Sequence, residues 1–366
     1  SLRRSFVTDS ATQPSVWVLE GIKAGDNAQM VAVAEALGWP WVAKPMRYRP
    51  WELVTNLLLR LTLAGLERSS KAALTPPWPD LVLTAGRRNE PVARWIRRSA
   101  MRGTGHRDVK LVHLGRPWAR PEQFDLVVST PQYEVRGDNV IVNDLPLHRV
   151  SEARLSEAAE RWAPRFADLP RPYVVALVGG SSGAYVFTRA KARQLGTAVN
   201  RQARELGGSA LVTTSARTPR NAVAELRSCI DVAHYLFDWY TSPREENPYL
   251  GFLALGDRFV VTGESMSMLT EACATGRPVQ IFDLGLPAPG ETGKWWLDAR
   301  SYGWRPMTHR LAQWLGPKRM RRDVGRIRDR LVETGRAVLL GESVTGGASA
   351  PSRDLERTVE AIRALF

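Results

Sequence analysis

The chain has 366 residues, 44% of them apolar, with 51 Lys or Arg against 37 Asp or Glu and a net charge of +14. That length exceeds what one hydrophobic core organises, so two domains are expected, and the ordinary apolar content excludes a disordered chain. Seven lysines and 44 arginines predict acidic partners. The planar guanidinium fork suits phosphorylated small molecules, anionic headgroups and nucleic acid alike.

Short apolar runs bounded by turn signals read as buried parallel strands, here at 16–19, 81–84, 110–114, 124–129 and 140–142. Helical patterns fall between them at 27–37, 51–66, 90–101 and 151–162. The rhythm repeats with strands at 173–178, 210–214, 235–237, 259–262 and 279–282, and helices at 188–206, 219–228 and 266–275. The fold class expected is α/β, two Rossmann-like lobes facing a cleft, of the GT-B type. The lobes are placed at 1–165 and 172–345, joined by the linker 164–172, with 346–366 a C-terminal helix returning to the first lobe. Ligands are expected outside the carboxyl ends of the strands.

No apolar stretch reaches the roughly 18 to 20 residues of a membrane span, and the opening SLRRSFVTDSATQPS lacks the apolar core of a secretion signal. Cys229 and Cys273 show no metal-ligand spacing and no disulfide framework, as in a reducing compartment. A cytoplasmic protein is expected, peripheral at most on the inner face of a membrane. The segment MRYRPWELVTNLLLRLTLAGLER reads either as a membrane-interface helix or as a buried core helix. Nucleic acid is not an expected partner, because no recognised binding motif accompanies the charge.

The strongest local signal is YVVALVGGSSGAYVFT, an apolar strand ending in Gly179, Gly180, Ser181, Ser182 and Gly183. Glycines there let backbone amides approach a phosphate, and a plain strand-to-helix turn is the alternative. A second strand ends at Thr262 and is followed by Gly263 and Glu264, after which Ser265 or Ser267 is expected to cap a helix whose start is an anion site. Glu271, further along that helix, reads as an acceptor for ribose hydroxyls or as a solvated glutamate. Arg217 follows the strand ending TTSARTP, where it neutralises a diphosphate or merely turns the chain before Pro219. Trp295, Trp296 and Trp304 read as stacking or as packing residues.

In WVLEGIKAGDNAQ, Gly21, Gly25 and Asp26 form a loop entering a helix that carries Gln29. Asp26 reads as a general base for an acceptor hydroxyl or as a helix N-cap. In TAGRRNEPVARWIRR, Arg87 and Asn89 sit at a strand end, Glu90 opens a helix, and Arg94, Arg97 and Arg98 line it as phosphate contacts or as a solvated face. His113 in VHLGRP is an acid or base, or a structural histidine of a buried strand.

The segment from Thr262 to Pro278 resembles the donor half-site of GT-B glycosyltransferases, and the loop Gly25-Asp26 is similar to the acceptor loop of lipid A disaccharide synthases, though Ala24 stands where that family has serine. Over most of its length the chain resembles the "elongated mitochondria" fission-factor family through LEGIKAGDNAQ, TAGRRNEP, HLGRP, FDLVVSTPQY, VGGSSGAY and TGESMSMLTEA. Two functions are implied. One is a metal-independent GT-B glycosyltransferase without cofactor, taking a UDP- or GDP-type nucleotide-sugar and an anionic or lipid-linked acceptor. The other is a non-catalytic, membrane-associated adaptor of the same fold. An epimerase carrying a dinucleotide is not expected, since GIKAGD lacks the three-glycine spacing.

Overall fold

The computed structural model describes residues 13–48, 63, 65–102, 107–182, 185–289, 291, 325–343 and 353–366. The chain forms two compact units. The first comprises Ser1–Thr130, Val135–Asn143 and Arg353–Phe366, and the second Pro131–Glu134 and Asp144–Ser352.

In the first unit six parallel strands run β1 (Val16–Glu20), β2 (Trp41–Pro45), β3 (Leu81–Ala85), β4 (Lys110–Leu114), β5 (Leu126–Ser129) and β6 (Val140–Val142). Their order in the sheet is β2-β1-β3-β4-β5-β6. Val18, Leu19, Leu81, Leu83, Val112 and Val127 are buried, as expected for strands covered on both faces. The covering helices are α1 (Ala24–Leu37), α2 (Arg68–Ala72), α3 (Gly86–Arg102) and the C-terminal helix Asp354–Arg363, which packs on α1. Chain direction reverses about β1 and β3, so the loops after these two strands flank the unit's topological switch point.

The second unit contains α4 (Glu152–Trp162), β7 (Tyr173–Leu177), α5 (Arg189–Glu205), β8 (Ser209–Thr213), α6 (Arg220–Ser228), β9 (His234–Phe237), α7 (Tyr249–Leu255), β10 (Arg258–Thr262), α8 (Met266–Ala274), β11 (Val279–Phe282), α9 (Gly325–Glu333) and β12 (Val338–Leu339). Its sheet is also parallel, in the order β12-β11-β10-β7-β8-β9, which is the Rossmann order with β7 as its first strand. The period of two is visible in β7: Tyr173, Val175 and Leu177 join one core with Phe166, Phe252 and Phe259. Val174 and Ala176 join the opposite core with Leu195, Val199 and Leu226.

The α/β class and the two Rossmann-like units are as expected, but several elements differ. The boundary falls ahead of α4, because α4 packs on α7 of the second unit; Gly251 lies so close to Trp162 that a methyl group there would collide with the ring. Strand β2 is a short, partly exposed edge ending in proline, and α7 is a seven-residue apolar run whose periodicity does not separate helix from strand. Helices α1 and α3 begin three and four residues earlier than expected. Most of the helix expected at 51–66, together with Gly183, Trp295, Trp296 and Trp304, lies outside the described residues. Among the described residues no helix is long and apolar enough to cross a membrane.

Candidate functional site

The Rossmann order of the second unit places β7 beside β10, so the turn after β7 meets the turn after β10 at the switch point. The Gly179 amide donates to Thr262 Oγ1 at 2.9 Å, and Ser215 and Thr218 hydroxyls donate to the Gly179 carbonyl, the latter at 3.1 Å. Gly179 has no room for a side chain: a methyl there would collide with Glu264 Oε1 and lie 2.9 Å from Arg217 Nη2 and from Ser265 Cβ. Gly180 has φ of +121° and passes so close to the Arg217 carbonyl that only glycine fits.

Above this backbone lies Glu264. Its side chain is 0% exposed, while that of Arg217 is 41% exposed, with Nη2 3.5 Å from Glu264 Oε1. The Thr262 hydroxyl and the Gly180 and Glu264 amides approach the carboxylate without reaching well-aligned hydrogen bonds. Burial pushes the Glu264 carboxyl above the usual carboxylate range, against the pull of Arg217. A fully buried acid whose one counter-charge is a half-exposed guanidinium is a costly arrangement, of the kind that concentrates at functional sites. The start of α8 adjoins it, and no side chain caps that helix.

The structure changes how the expected donor residues work. The amides meant to cradle a phosphate are largely used within the protein: Ser181 N–H donates to the Arg217 carbonyl at 3.1 Å and Ser182 N–H to the Tyr185 carbonyl at 2.9 Å. Ser181 Oγ accepts from the Phe187 amide at 3.0 Å. The cause is a bridge between Gly180 and Arg217, which docks the turn on the loop after β8. Ser265 holds the N-cap position of α8 without capping it through its side chain, and Ser267 lies inside the helix. Glu271 is half-buried: it accepts from the Tyr249 hydroxyl, and burial holds its carboxyl above the usual range. Gly179, Gly180, Arg217, Glu264 and Ser265 are thus brought together, and Glu271 belongs to a neighbouring contact between α7 and α8.

Two aromatic residues beyond the end of β9, Trp239 and Tyr240, join the loops of this unit without a sequence motif to mark them. Arg220 stacks 4.3 Å from the Tyr240 ring centroid and Arg244 5.1 Å from that of Trp239, while Tyr240 OH donates to the Thr218 carbonyl at 2.8 Å. The sequence offers only the Trp-Tyr pair directly after a strand, with arginines on either side.

In the first unit Asp26 occupies the first turn of α1, where a carboxylate favours the helix dipole, and Lys23 rather than Asp26 holds the N-cap position. Its side chain is 29% exposed, 4.0 Å from Lys23 Nζ, and a methyl on Gly86 would lie 3.6 Å from Asp26 Oδ2. Gly25 is helical beside it, and Gln29 is half-buried one turn on. The loop before α1 is instead held by Asn27, whose amide both accepts from Gly21 N–H at 2.8 Å and donates to the Gly21 carbonyl at 2.9 Å.

Asn89 is buried, donating to the Leu19 carbonyl at 2.7 Å and accepting from Tyr48 OH at 2.5 Å, so it braces the switch point. Arg87 lies in the first turn of α3 and stacks 5.5 Å from the Trp118 ring centroid. Glu90 is buried and accepts from the Trp118 and Ala119 amides at 2.6 and 2.9 Å. Arg97 pairs with Asp125 at 2.9 Å, so the helix face is less free than expected. His113 is a core residue of β4: its ring packs 5.1 Å from that of Phe124, and burial lowers its pKa to about 3, leaving it neutral and away from solvent.

A family model described as "Mitochondrial fission ELM1" matches residues 24–299. The chain belongs to this family. The mitochondrial fission protein ELM1 of Arabidopsis thaliana is 28% identical over 248 residues, covering 61% of this chain and 56% of the plant protein. The matched region thus spans little more than half of that relative. An uncharacterized protein of Rickettsia prowazekii is 20% identical over 301 residues, 73% of this chain and 83% of its own length. Among solved structures, UDP-GlcNAc 2-epimerase from Neisseria meningitidis bound to UDP-GlcNAc aligns with 12% identity and a TM-score of 0.45, covering 96% of this chain and all of the epimerase. ADP-heptose lipopolysaccharide heptosyltransferase II of E. coli aligns with 14% identity and a TM-score of 0.44, covering 96% of this chain and 98% of its own. At such overlap neither bears on the chemistry of this chain.

Proposed function

We propose that this ELM1-family chain binds a nucleoside diphosphate sugar at the switch point of its second unit and transfers the sugar as a metal-independent GT-B glycosyltransferase. The observation that carries the reading is the buried Glu264 beside the half-exposed Arg217, at the carboxyl ends of β7 and β10 in a sheet of Rossmann order. Arg217 and the uncapped start of α8 would hold the diphosphate and stabilise its departing charge. Asp26 is the proposed acceptor-side base, taking the proton of an attacking hydroxyl. An anionic or lipid-linked acceptor suits the net charge of +14, and places the protein peripherally at a membrane.

The second reading is an adaptor that retains the fold without transfer, and it is motivated by family membership, since the plant relative is named for mitochondrial fission. Isothermal titration with UDP, GDP and their sugars separates the two. The donor reading expects saturable binding that weakens in Arg217→Ala, and an adaptor expects no heat from any nucleotide.

A further inference from the structure

We infer that Glu264 takes up a proton when a diphosphate binds beside Arg217, and that the resulting neutral acid donates a hydrogen bond to a phosphate oxygen. The inference rests on the donor-site reading and adds to it the protonation state in which the site recognises its ligand.

The charges around Glu264 make the case. The turn after β7, Gly179 to Ser182, brings no titratable side chain, and the loop after β8 brings Arg217, with Nη2 3.5 Å from Glu264 Oε1. From the end of β11 comes Asp283, already held by Arg328 at 2.5 Å. The turn containing Glu264 adds the hydroxyls of Thr262 and Ser265 and the Glu264 amide, and the Gly180 amide faces the carboxyl from the turn after β7; none of these is charged. One guanidinium therefore serves the buried carboxylate, and its 41% exposure leaves it open to a ligand on the solvent side.

A diphosphate drawn to Arg217 brings a second anion into the same dry site. Two anions that share one cation in low dielectric do not both remain ionised, and the group of higher proton affinity takes the proton. Between a carboxyl group and a diphosphate whose ends are both esterified, that group is the carboxyl. Burial already holds Glu264 above the usual carboxylate range, so the proton is added at small cost. The proton comes from solvent and joins a Glu264 oxygen; no other bond is made or broken. Once neutral, the acid has a donor, and because the groups around its oxygens, Arg217, the Gly180 and Glu264 amides and the Thr262 hydroxyl, face it as donors, that proton is left for a phosphate oxygen.

The test is isothermal titration of the full chain with uridine and guanosine diphosphate glucose, which lack the phosphate monoester that titrates near pH 6. Each titration is run at several pH values in two buffers of different ionisation enthalpy. The wild type is expected to take up to about one proton per ligand, with Kd rising by up to about tenfold per pH unit where the free carboxyl is ionised. Glu264→Gln keeps a neutral donor, so it is expected to bind with a flat pH profile and no proton uptake. Binding by the wild type with equal heats in both buffers and a flat Kd would overturn the inference, as would proton uptake that persists in Glu264→Gln. An absence of heat for both sugars at every pH overturns the donor-site reading itself, which distinguishes the two failures.

Discussion

Glu264→Gln is expected to stabilise the unliganded protein at neutral to alkaline pH. The wild-type carboxyl is fully buried, and its pKa is raised from the ordinary 4.5 by burial, which outweighs the pull of Arg217 and of the neighbouring amides and Thr262 hydroxyl. An acid whose folded pKa is raised binds more protons folded than unfolded across the window between the two values, so stability falls as pH rises through it. Below that window the acid is protonated in both states and the penalty vanishes; above it the penalty is complete. An unsatisfied buried polar group costs about 1 to 3 kcal/mol, more when charged, and the amide removes the charge while keeping the shape. For a protein of this size class each kcal/mol moves the melting temperature by about 2 to 4 °C. Differential scanning calorimetry of both proteins from about pH 4.5 to 8.5 is expected to show curves that converge at the acid end and separate in favour of the variant at the alkaline end. The opposite result, a loss of about 3 kcal/mol or more at alkaline pH, is what breaking a needed buried ion pair would produce, and it would refute the reasoning.

Other outcomes follow from neighbouring contacts. Arg217→Ala is expected to weaken nucleotide binding by about tenfold or more, the worth of a hydrogen bond to a charged group, and to lower the melting temperature at alkaline pH, where Glu264 loses the cation that offsets its charge. Gly179→Ala forces a methyl against Glu264 and Ser265; an overpacking cost of about 1 to 3 kcal/mol and a loss of nucleotide binding are expected in denaturation and titration experiments. Asp26→Asn is expected to leave nucleotide affinity intact and abolish sugar transfer, and full turnover would remove it as base. His113, whose folded pKa is lowered from 6.5 to about 3, contributes stability that is present above pH 6.5 and lost as pH falls toward 3. His113→Leu is therefore expected to flatten the acid limb of melting temperature against pH.

Much of the fold was legible because parallel strands buried on both faces leave continuous apolar runs, as β3, β4, β7 and β10 do. The starts of α1 and α3 are not legible in sequence because glycine and charged residues, which sequence patterns place in loops, here occupy first helical turns. At the site, the glycines and charged residues of the two turns were visible, but not their relation. No local pattern says that the amides of Ser181 and Ser182 are spent on Arg217 and Tyr185, or that Glu271 meets Tyr249 from a helix 22 positions away. Those contacts depend on which strands become neighbours, and that is set by the whole sheet. The same holds for Asn89, a polar residue near a strand end whose bonds to Leu19 and Tyr48 no local pattern shows.

The central claim is that a nucleoside diphosphate sugar occupies the switch point of the second unit. Hydrogen–deuterium exchange with and without uridine or guanosine diphosphate sugars tests it most directly. Slowed exchange is expected in the turn after β7, the loop carrying Arg217 and the segment from Gly263 into α8. Unchanged exchange in all three at saturating ligand, or protection confined to other segments, would contradict the account.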